Sequence, residues 1–181
     1  MTARLSQVAL AIALVLVVIL ARQQQTLRAR YDDLNRRIQT PHAGMFVPTF
    51  RAATLDGDSV TIGFAAGGGR QVLFFLTTTC PFCIQSLESW RTLAAACDSL
   101  TGVQVYAVSL DSAAETRLYA DRHRLRMPVA FVPEAKLTVL YRAHRVPVTM
   151  VIDSAGRVRY ARRGVFEGRE ARDSVLAALR S

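Results

Sequence analysis

The chain contains almost no lysine. Lys136 is the single lysine, so arginine supplies nearly all of the positive side chains behind a formal net charge of +9 over 181 residues. A charge of this size attracts nucleic acid or anionic lipid. However, the arginines are scattered along the chain, and no basic patch with interleaved aromatic residues is present. We therefore expect no nucleic-acid partner and interpret the arginines as solvated surface with some attraction for lipid.

Cysteine is also scarce, which excludes a disulfide-stapled scaffold. The chain has three cysteines, and two of them share the motif Cys80-Pro81-Phe82-Cys83. A structural zinc site would need a second pair of ligands. Cys97 and the histidines do not provide one at finger-like spacing: His42, His123 and His144. We therefore expect redox chemistry at the motif, with no metal and no other cofactor.

The residues that lead into this motif predict a buried strand followed by a redox turn. Residues 74–76 are apolar and suit a strand that is covered on both faces. Pro81 lacks an amide hydrogen and fits the first position of a helix, which places Cys80 at the helix cap. Free backbone N–H groups and the helix dipole favour a thiolate there. Cys83 follows one turn later, close enough to resolve a mixed disulfide.

The amino terminus predicts a membrane anchor over residues 1–22. Residues 8–21 are fourteen apolar residues without a charge, and the uncharged residues 5–7 extend them, so a bilayer could just be crossed with some thinning. A cleaved signal peptide has the same pattern, but no small-x-small site follows cleanly before Arg22. We therefore favour a retained anchor. Counting loop charges alone would keep the residues after it in the cytoplasm.

Residues 23–43 predict a juxtamembrane helical linker. Leu20, Leu27 and Leu34 are seven residues apart and form an apolar seam, and Pro41 ends the helix. The seam has too few heptads to define a coiled coil, so we interpret it as a spacer or as a stripe packed on its own domain. A dimer seam is the alternative.

Residues 44–181 predict one α/β domain. Two alternating runs around Asp56-Gly57, between Val47 and Ile62, are typical of a β-hairpin. The following glycines, residues 67–69, lack the lysine and hydroxyl residue of a phosphate-binding loop, so we interpret them as a linker. After the redox turn the pattern predicts alternating helices and strands: a helix to about Leu100, a strand at 103–109, a helix at 113–124, a short strand at 129–132 and a helix at 135–144.

The last part of the chain predicts a strand that begins after a proline. Pro147 would break a sheet ladder in the interior of a strand, so it must stand at the start, where a cis bond would leave the preceding backbone free to pair with another chain. A turn at 153–156, a return strand at 158–161 and a helix from about 167 to 179 follow. These elements together predict an α/β sandwich with a mixed sheet.

Cys97 is predicted to be a buried core thiol. It lies on the same helix face as Cys83, Leu87, Trp90 and Ala94, at steps of four and three residues. Because the two-residue spacing of the motif already supplies a resolving cysteine, we favour a packing role over a third redox partner.

These motifs together resemble the thioredoxin superfamily, and within it the membrane-anchored TlpA/ResA-like thiol-disulfide oxidoreductases. The likeness covers about residues 44–180. It rests on the hairpin, the Cys-Pro-Phe-Cys turn, the segments 146–149 and 152–156, and the apolar strand after them. Residues 74–83 also resemble the accessory thioredoxin-like proteins of methylamine utilisation, which are associated with disulfide formation in an amine dehydrogenase. The resemblance implies a three-layer thioredoxin-like sandwich with a mixed central sheet and an added N-terminal β-hairpin, preceded by one transmembrane helix.

Carried over residue by residue, the resemblance implies that Cys80 attacks, Cys83 resolves and Pro147 is a cis-proline beside them. It implies that the residues meeting the substrate are Val146, Pro81 and Phe82.

The sequence departs from the family at three positions. Phe74 stands where thioredoxin has a buried aspartate, Ser86 where ResA-type proteins have a glutamate, and Thr79 where most relatives have tryptophan. The usual carboxylate for proton movement near the second sulfur is therefore missing. Water or an unidentified neighbour would have to do that work.

The resemblance also implies a place and partners. It implies an anchored domain that faces the periplasm or outer surface of a bacterium, in the setting of cytochrome c biogenesis. There it would exchange disulfides with client proteins and be recycled by a membrane electron carrier. The direction of exchange stays open. The alternatives are a thiol peroxidase and a non-enzymatic module that handles metal or haem through the two cysteines.

Overall fold

The computed structural model describes residues 2–63, 69–132 and 135–180, without the side chains of residues 2–13, 34–38 and 135–136. The chain divides into two compact units, Met1–Gln39 and Thr40–Ser181. The first unit is a single helix, α1, over Thr2–Gln39, and it ends before Pro41. The side chains of most of the predicted anchor lie outside the described residues. Within the described part of the chain, no helix has both the length and the hydropathy needed to cross a membrane.

The second unit is built on a mixed β-sheet. The described residues contribute seven strands: β1 Phe50–Thr54, β2 Ser59–Ile62, β3 Arg70–Leu76, β4 Val103–Ser109, β5 Val129–Phe131, β6 Val148–Ile152 and β7 Val158–Arg163. Their order in the sheet is β2-β1-β5-β4-β3-β6-β7. Strand β4 is parallel to both β3 and β5, and the other neighbouring pairs are antiparallel. The predicted mixed sheet is confirmed.

Helices cover both faces of this sheet. They are α2 Pro81–Cys97, α3 Ala113–His123, α4 Ala135–Leu140 and α5 Arg169–Arg180. Side chains of β3 alternate between the faces. Phe74 packs in one buried cluster with residues of α2, α3 and α5, while Phe75 packs in a second cluster with Tyr141, just beyond α4. The result is the predicted three-layer α/β sandwich, with β3 buried in its centre.

The predicted N-terminal hairpin is present as an addition to the sheet. Strands β1 and β2 pair antiparallel, with Ala53 opposite Ser59. Gly57 has a positive φ of 92°, which glycine adopts without steric cost, and the Thr54 amide donates to the Asp58 carbonyl at 2.8 Å to close the turn. The hairpin joins the sheet through the pairing of β1 with β5.

One predicted helix ends early. The pattern extended it from Ala135 to His144, but α4 ends at Leu140. Arg142 adopts a left-handed φ of 53°, and the Ala143 amide donates back to the Thr138 carbonyl at 2.8 Å, which closes the helix end. The predicted glycine linker lies mostly outside the described residues.

Candidate functional site

The cysteine motif begins helix α2 directly after β3. Cys80 caps the helix with extended φ and ψ of −83° and 112°, and Pro81 occupies the first turn. The Cys83 amide donates to the Cys80 sulfur at 3.2 Å. Both cysteines are free thiols: Cys80 is half-buried and Cys83 is fully buried. Cys80 is therefore partly accessible from solvent, whereas Cys83 lies in the core.

The segment before β6 lies against this turn. The Val146–Pro147 peptide is cis, as the sequence suggested, and β6 pairs with β3 so that Val148 lies opposite Phe75. This register brings Val146 to the motif, and the Cys80 thiol donates to its carbonyl oxygen at 3.8 Å. The structure thus brings Cys80, Cys83 and the Val146–Pro147 segment together from parts of the chain more than sixty residues apart.

Apolar side chains are exposed beside the half-buried sulfur. Pro81 is exposed, and Phe82 and Ile84 keep 55% and 46% of their surface accessible. The motif therefore has an exposed apolar surface next to Cys80, formed by Pro81, Phe82 and Ile84.

The surroundings of Cys83 hold it in the thiol form. Burial is the largest influence that raises its pKa, followed by its hydrogen bond and charge interaction with Cys80 and the charge of Asp111. A hydrogen bond with the Thr77 backbone acts in the opposite direction. Tyr119 of α3 belongs to the same buried cluster as Cys83, and Cys80 packs against that cluster. The buried Tyr119 hydroxyl has no hydrogen-bond partner within the described residues, and its pKa is raised by burial first and then by Cys83 and Cys80.

Asp111 lies at the site but was not among the residues that the sequence predicted there. Its carboxylate accepts a hydrogen bond from the Thr78 amide at 2.5 Å, two residues before Cys80. Asp111 follows the end of β4, which runs parallel to β3. The carboxyl ends of neighbouring parallel strands meet at one edge of a sheet, so a polar residue just after β4 was a usable signal.

The two positions where relatives carry carboxylates have packing roles here. Ser86 is fully buried; its hydroxyl donates to the Phe82 carbonyl at 3.0 Å and accepts from the Phe166 amide at 2.9 Å. Phe74 stacks on Trp90 with ring centroids 5.0 Å apart. Both side chains, Ser86 and Phe74, are fully buried. The charge near the second sulfur comes from Asp111 instead.

The remaining candidates lie apart from this chemistry. Cys97 is 1% exposed, and burial, with a smaller contribution from the Asp98 charge, raises its pKa to about 11. His144 is exposed. Across residues 2–63, 69–132 and 135–180, no group of three or more histidine, cysteine, aspartate or glutamate side chains could hold a metal ion. A cavity of about 690 Å³ between α2 and β4 is lined by residues such as Arg91 and Met127, and by neither motif cysteine.

Comparisons with known proteins agree with this architecture. The model of the AhpC/TSA family matches residues 43–161. The chain is similar to the methylamine utilization protein MauD of Methylobacillus flagellatus, with 30% identity over 141 residues, which is 77% of this chain and 65% of the relative. It therefore spans just under two thirds of that relative's length.

Solved structures share the fold. A chain named as the thiol:disulfide interchange protein DsbE of Chlorobium tepidum superposes with a TM-score of 0.65 and 25% identity, covering 77% of this chain and 99% of that chain. The peroxidoxin BcpB of Mycobacterium tuberculosis superposes with a TM-score of 0.64 and 21% identity, covering 77% and 97%. The second likeness concerns the fold alone.

Proposed function

The chain belongs to the AhpC/TSA family, and from this premise we propose that it exchanges disulfides with client proteins through Cys80 and Cys83. Its thioredoxin-like fold and its relatives support an oxidoreductase at the general level. The observation that carries the finer proposal is the pairing of a half-buried and a buried thiol at one helix start, joined by the Cys83 amide at 3.2 Å from the Cys80 sulfur.

The exchange requires two displacements. The Cys80 thiolate attacks a client disulfide, forms a mixed disulfide and releases one client thiolate, which takes a proton from water. Cys83 then loses its proton to solvent and attacks the Cys80 sulfur. This step forms the Cys80–Cys83 disulfide and releases the second client thiolate. Two electrons pass from the protein to the client, and the reverse sequence oxidises a client dithiol.

The backbone beside Cys80 supports binding of an extended client segment. The Val146 carbonyl oxygen already accepts a hydrogen bond from the Cys80 thiol at 3.8 Å, so it lies where a client backbone amide would pass during attack. Pro81 and Phe82, which follow Cys80 directly in the chain, are exposed. A polypeptide held between these residues would align its disulfide with Cys80.

The setting of this reaction is also part of the proposal. The uncharged residues 8–21 support an anchor that holds the domain at a bacterial membrane, facing the periplasm, with a membrane electron carrier to recycle the cysteines. Similarity to MauD supports a client connected with methylamine utilization. Alkaline extraction of membranes and protease protection of the domain test the anchor. Immunoprecipitation of trapped complexes identifies the client.

Trapping with cysteine variants tests the exchange itself. Cys80→Ser should abolish reduction of insulin disulfides. Cys83→Ser should accumulate mixed disulfides on Cys80 that reductant releases, because the resolving thiol is gone. Retention of full activity by Cys80→Ser would refute the proposal. Equilibration of the wild-type pair with glutathione buffers gives its reduction potential and decides between reductant and oxidant.

A thiol peroxidase is the second candidate, favoured by the fold likeness to a peroxidoxin. Such enzymes place a proline and a threonine ahead of the reactive cysteine. Thr77 is present, but the expected proline position holds Leu73, which is fully buried in β3. Peroxide consumption by the reduced protein distinguishes the two. Turnover of hydrogen peroxide faster than of insulin would favour the peroxidase.

A further inference from the structure

Asp111 links the end of β4 to the residues just before the motif. The Thr78 amide donates to its Oδ2 at 2.5 Å, and the Asp111 amide donates to the Ser109 hydroxyl at 3.3 Å. Ser109 is fully buried and also accepts from the Thr116 hydroxyl of α3 at 2.7 Å. The Asp111 backbone is therefore held by Ser109 at the end of β4, which is itself bonded to α3. The Asp111 carboxylate in turn bonds the loop that leads to Cys80.

The Thr77 backbone and the Asp111 side chain, which bonds the adjacent Thr78, shift the pKa of the Cys83 thiol in opposite directions. Thr77 bonds the Cys83 sulfur through its backbone and lowers the pKa of that thiol, whereas the Asp111 charge, held by Thr78, raises it. The groups that face Cys83 are Cys80 from the helix start, Asp111 from the β4 loop and Tyr119 from α3. Burial keeps the Tyr119 phenol protonated over the neutral range. Among the three, Asp111 supplies the fixed negative charge.

We propose that Asp111 is a positioning residue of the redox turn: its carboxylate anchors the Thr78 amide and places a negative charge at the loop before Cys80, which disfavours a second negative charge on the neighbouring Cys83. The inference deepens the proposed exchange reaction and rests on it. It also accounts for the chain's lack of a carboxylate at positions 74 and 86, since a charge from a different strand end acts on the same sulfur.

The order of attack follows from this arrangement. Cys80 is half-buried and meets the client first, while a prematurely ionised Cys83 would compete for oxidants or attack too early. A negative charge in a low-dielectric site disfavours a second one nearby. Once the mixed disulfide forms, the Cys83 proton leaves to solvent and its sulfur displaces the client from Cys80.

The test separates the charge of Asp111 from its hydrogen bond. The full chain carrying Cys97→Ala reacts with excess 5,5′-dithiobis(2-nitrobenzoate), abbreviated DTNB. Cys80 attacks DTNB and releases one thionitrobenzoate, and Cys83 then displaces the second from Cys80. The second release, followed against pH, reports on Cys83. Asp111→Asn keeps an oxygen that accepts from Thr78 but removes the charge, whereas Asp111→Ala removes both.

We expect Asp111→Asn to move the pH midpoint of the second release downward and leave the first release unchanged. A larger thiolate fraction is partly offset by the lower intrinsic nucleophilicity of a less basic thiolate, so the second release at neutral pH should still accelerate. Asp111→Ala should accelerate it less, because freeing Thr78 also loosens the neighbouring Thr77 bond to Cys83. Asp98→Asn is the matched control: it removes one carboxylate at the opposite end of α2 and should leave both releases unchanged.

Three results would overturn the inference: an unchanged second release in Asp111→Asn, identical behaviour of the Asn and Ala variants, or an equal acceleration in Asp98→Asn. Asp111→Ser offers a second neutral acceptor if the Asn variant does not fold. Failure of the proposed function would look different. In that case the Cys97→Ala parent would release no second thionitrobenzoate, and mass spectrometry would find no Cys80–Cys83 disulfide.

Discussion

The indole Nε1 of Trp90 donates to the hydroxyl of Thr149 at 2.8 Å, a buried bond between α2 and β6. Thr149 is the second residue of β6, which begins directly after Pro147. Trp90 also stacks on Phe74 of β3. The bond therefore ties the helix that begins with the cysteines to the strand that begins beside them. It fixes the two halves of the site relative to each other.

Loss of the Thr149 hydroxyl should destabilise the domain. Thr149→Val keeps the shape of the side chain but leaves the buried Trp90 N–H unpaired, which costs about 1–3 kcal/mol. The free energy of unfolding in urea measures the effect. Thr61→Val, at an exposed position of β2, is the control and should change stability by less than about 0.5 kcal/mol. Equal stabilities for the two variants would contradict the prediction.

Ser86 should matter for stability rather than for proton movement. Ser86→Ala removes the acceptor of the buried Phe166 amide and should cost about 1–3 kcal/mol, while changing the rate of DTNB reduction little. Thr92→Ala is a close control because Thr92 makes the same kind of bond to the carbonyl of Glu88, on the exposed side of α2. It should be nearly neutral. A Ser86→Ala protein that is stable but slow to resolve mixed disulfides would show that Ser86 acts in the chemistry.

The contrast between Ser86 and Asp111 shows what the sequence could and could not predict. The strand, turn and helix around the motif depend on local residue patterns, so the residues at 74–83 predicted them correctly. The bonds from Ser86 to Phe166 and from Thr78 to Asp111 join residues 80 and 33 positions apart. The parallel strands indicated the sheet edge at which Asp111 lies. No local pattern indicated which backbone amide its carboxylate would meet, or that Ser86 would meet Phe166, because these contacts depend on where a loop returns.

The same limit applies to helix ends and to sheet order. Hydrophobic periodicity predicted a helix to residue 144. It does not predict the left-handed backbone of Arg142, just beyond the end of α4 at Leu140. The hairpin was visible because Asp56-Gly57 sets a tight turn. Its attachment to β5 was not, since that pairing joins Ala53 to Phe131.

Phe82 should contribute to the binding of protein substrates and not to the binding of small disulfides. Its side chain is 55% exposed, and partial burial against a polypeptide would contribute about 1 kcal/mol. Phe82→Ala should therefore slow insulin reduction about fivefold while leaving the first reaction with DTNB within about twofold. Val139→Ala removes an exposed apolar side chain from α4, on the other face of the sheet, and serves as the control. Equal slowing with insulin and DTNB would indicate a damaged motif rather than a lost contact.

Cys97 should make the stability of the reduced protein depend on alkaline pH. Burial raises its pKa from about 9 to about 11, so the folded state resists an ionisation that the unfolded chain undergoes freely. Its stabilising contribution is complete below about pH 9 and is lost as the pH rises toward about 11. Between about pH 8 and about pH 10.5 this loss amounts to about 2 kcal/mol.

Cys97→Ala isolates this contribution, because both proteins retain the same buried tyrosines and the same Cys83. At about pH 8 the variant should be less stable by about 1 kcal/mol, since a buried sulfur is removed from the core. At about pH 10.5 the wild-type protein loses about 2 kcal/mol more than the variant, so the order of stability reverses. Urea unfolding under a reducing agent at both pH values measures the difference. A gap that stays constant would mean that Cys97 ionises as easily in the folded domain as in the unfolded chain.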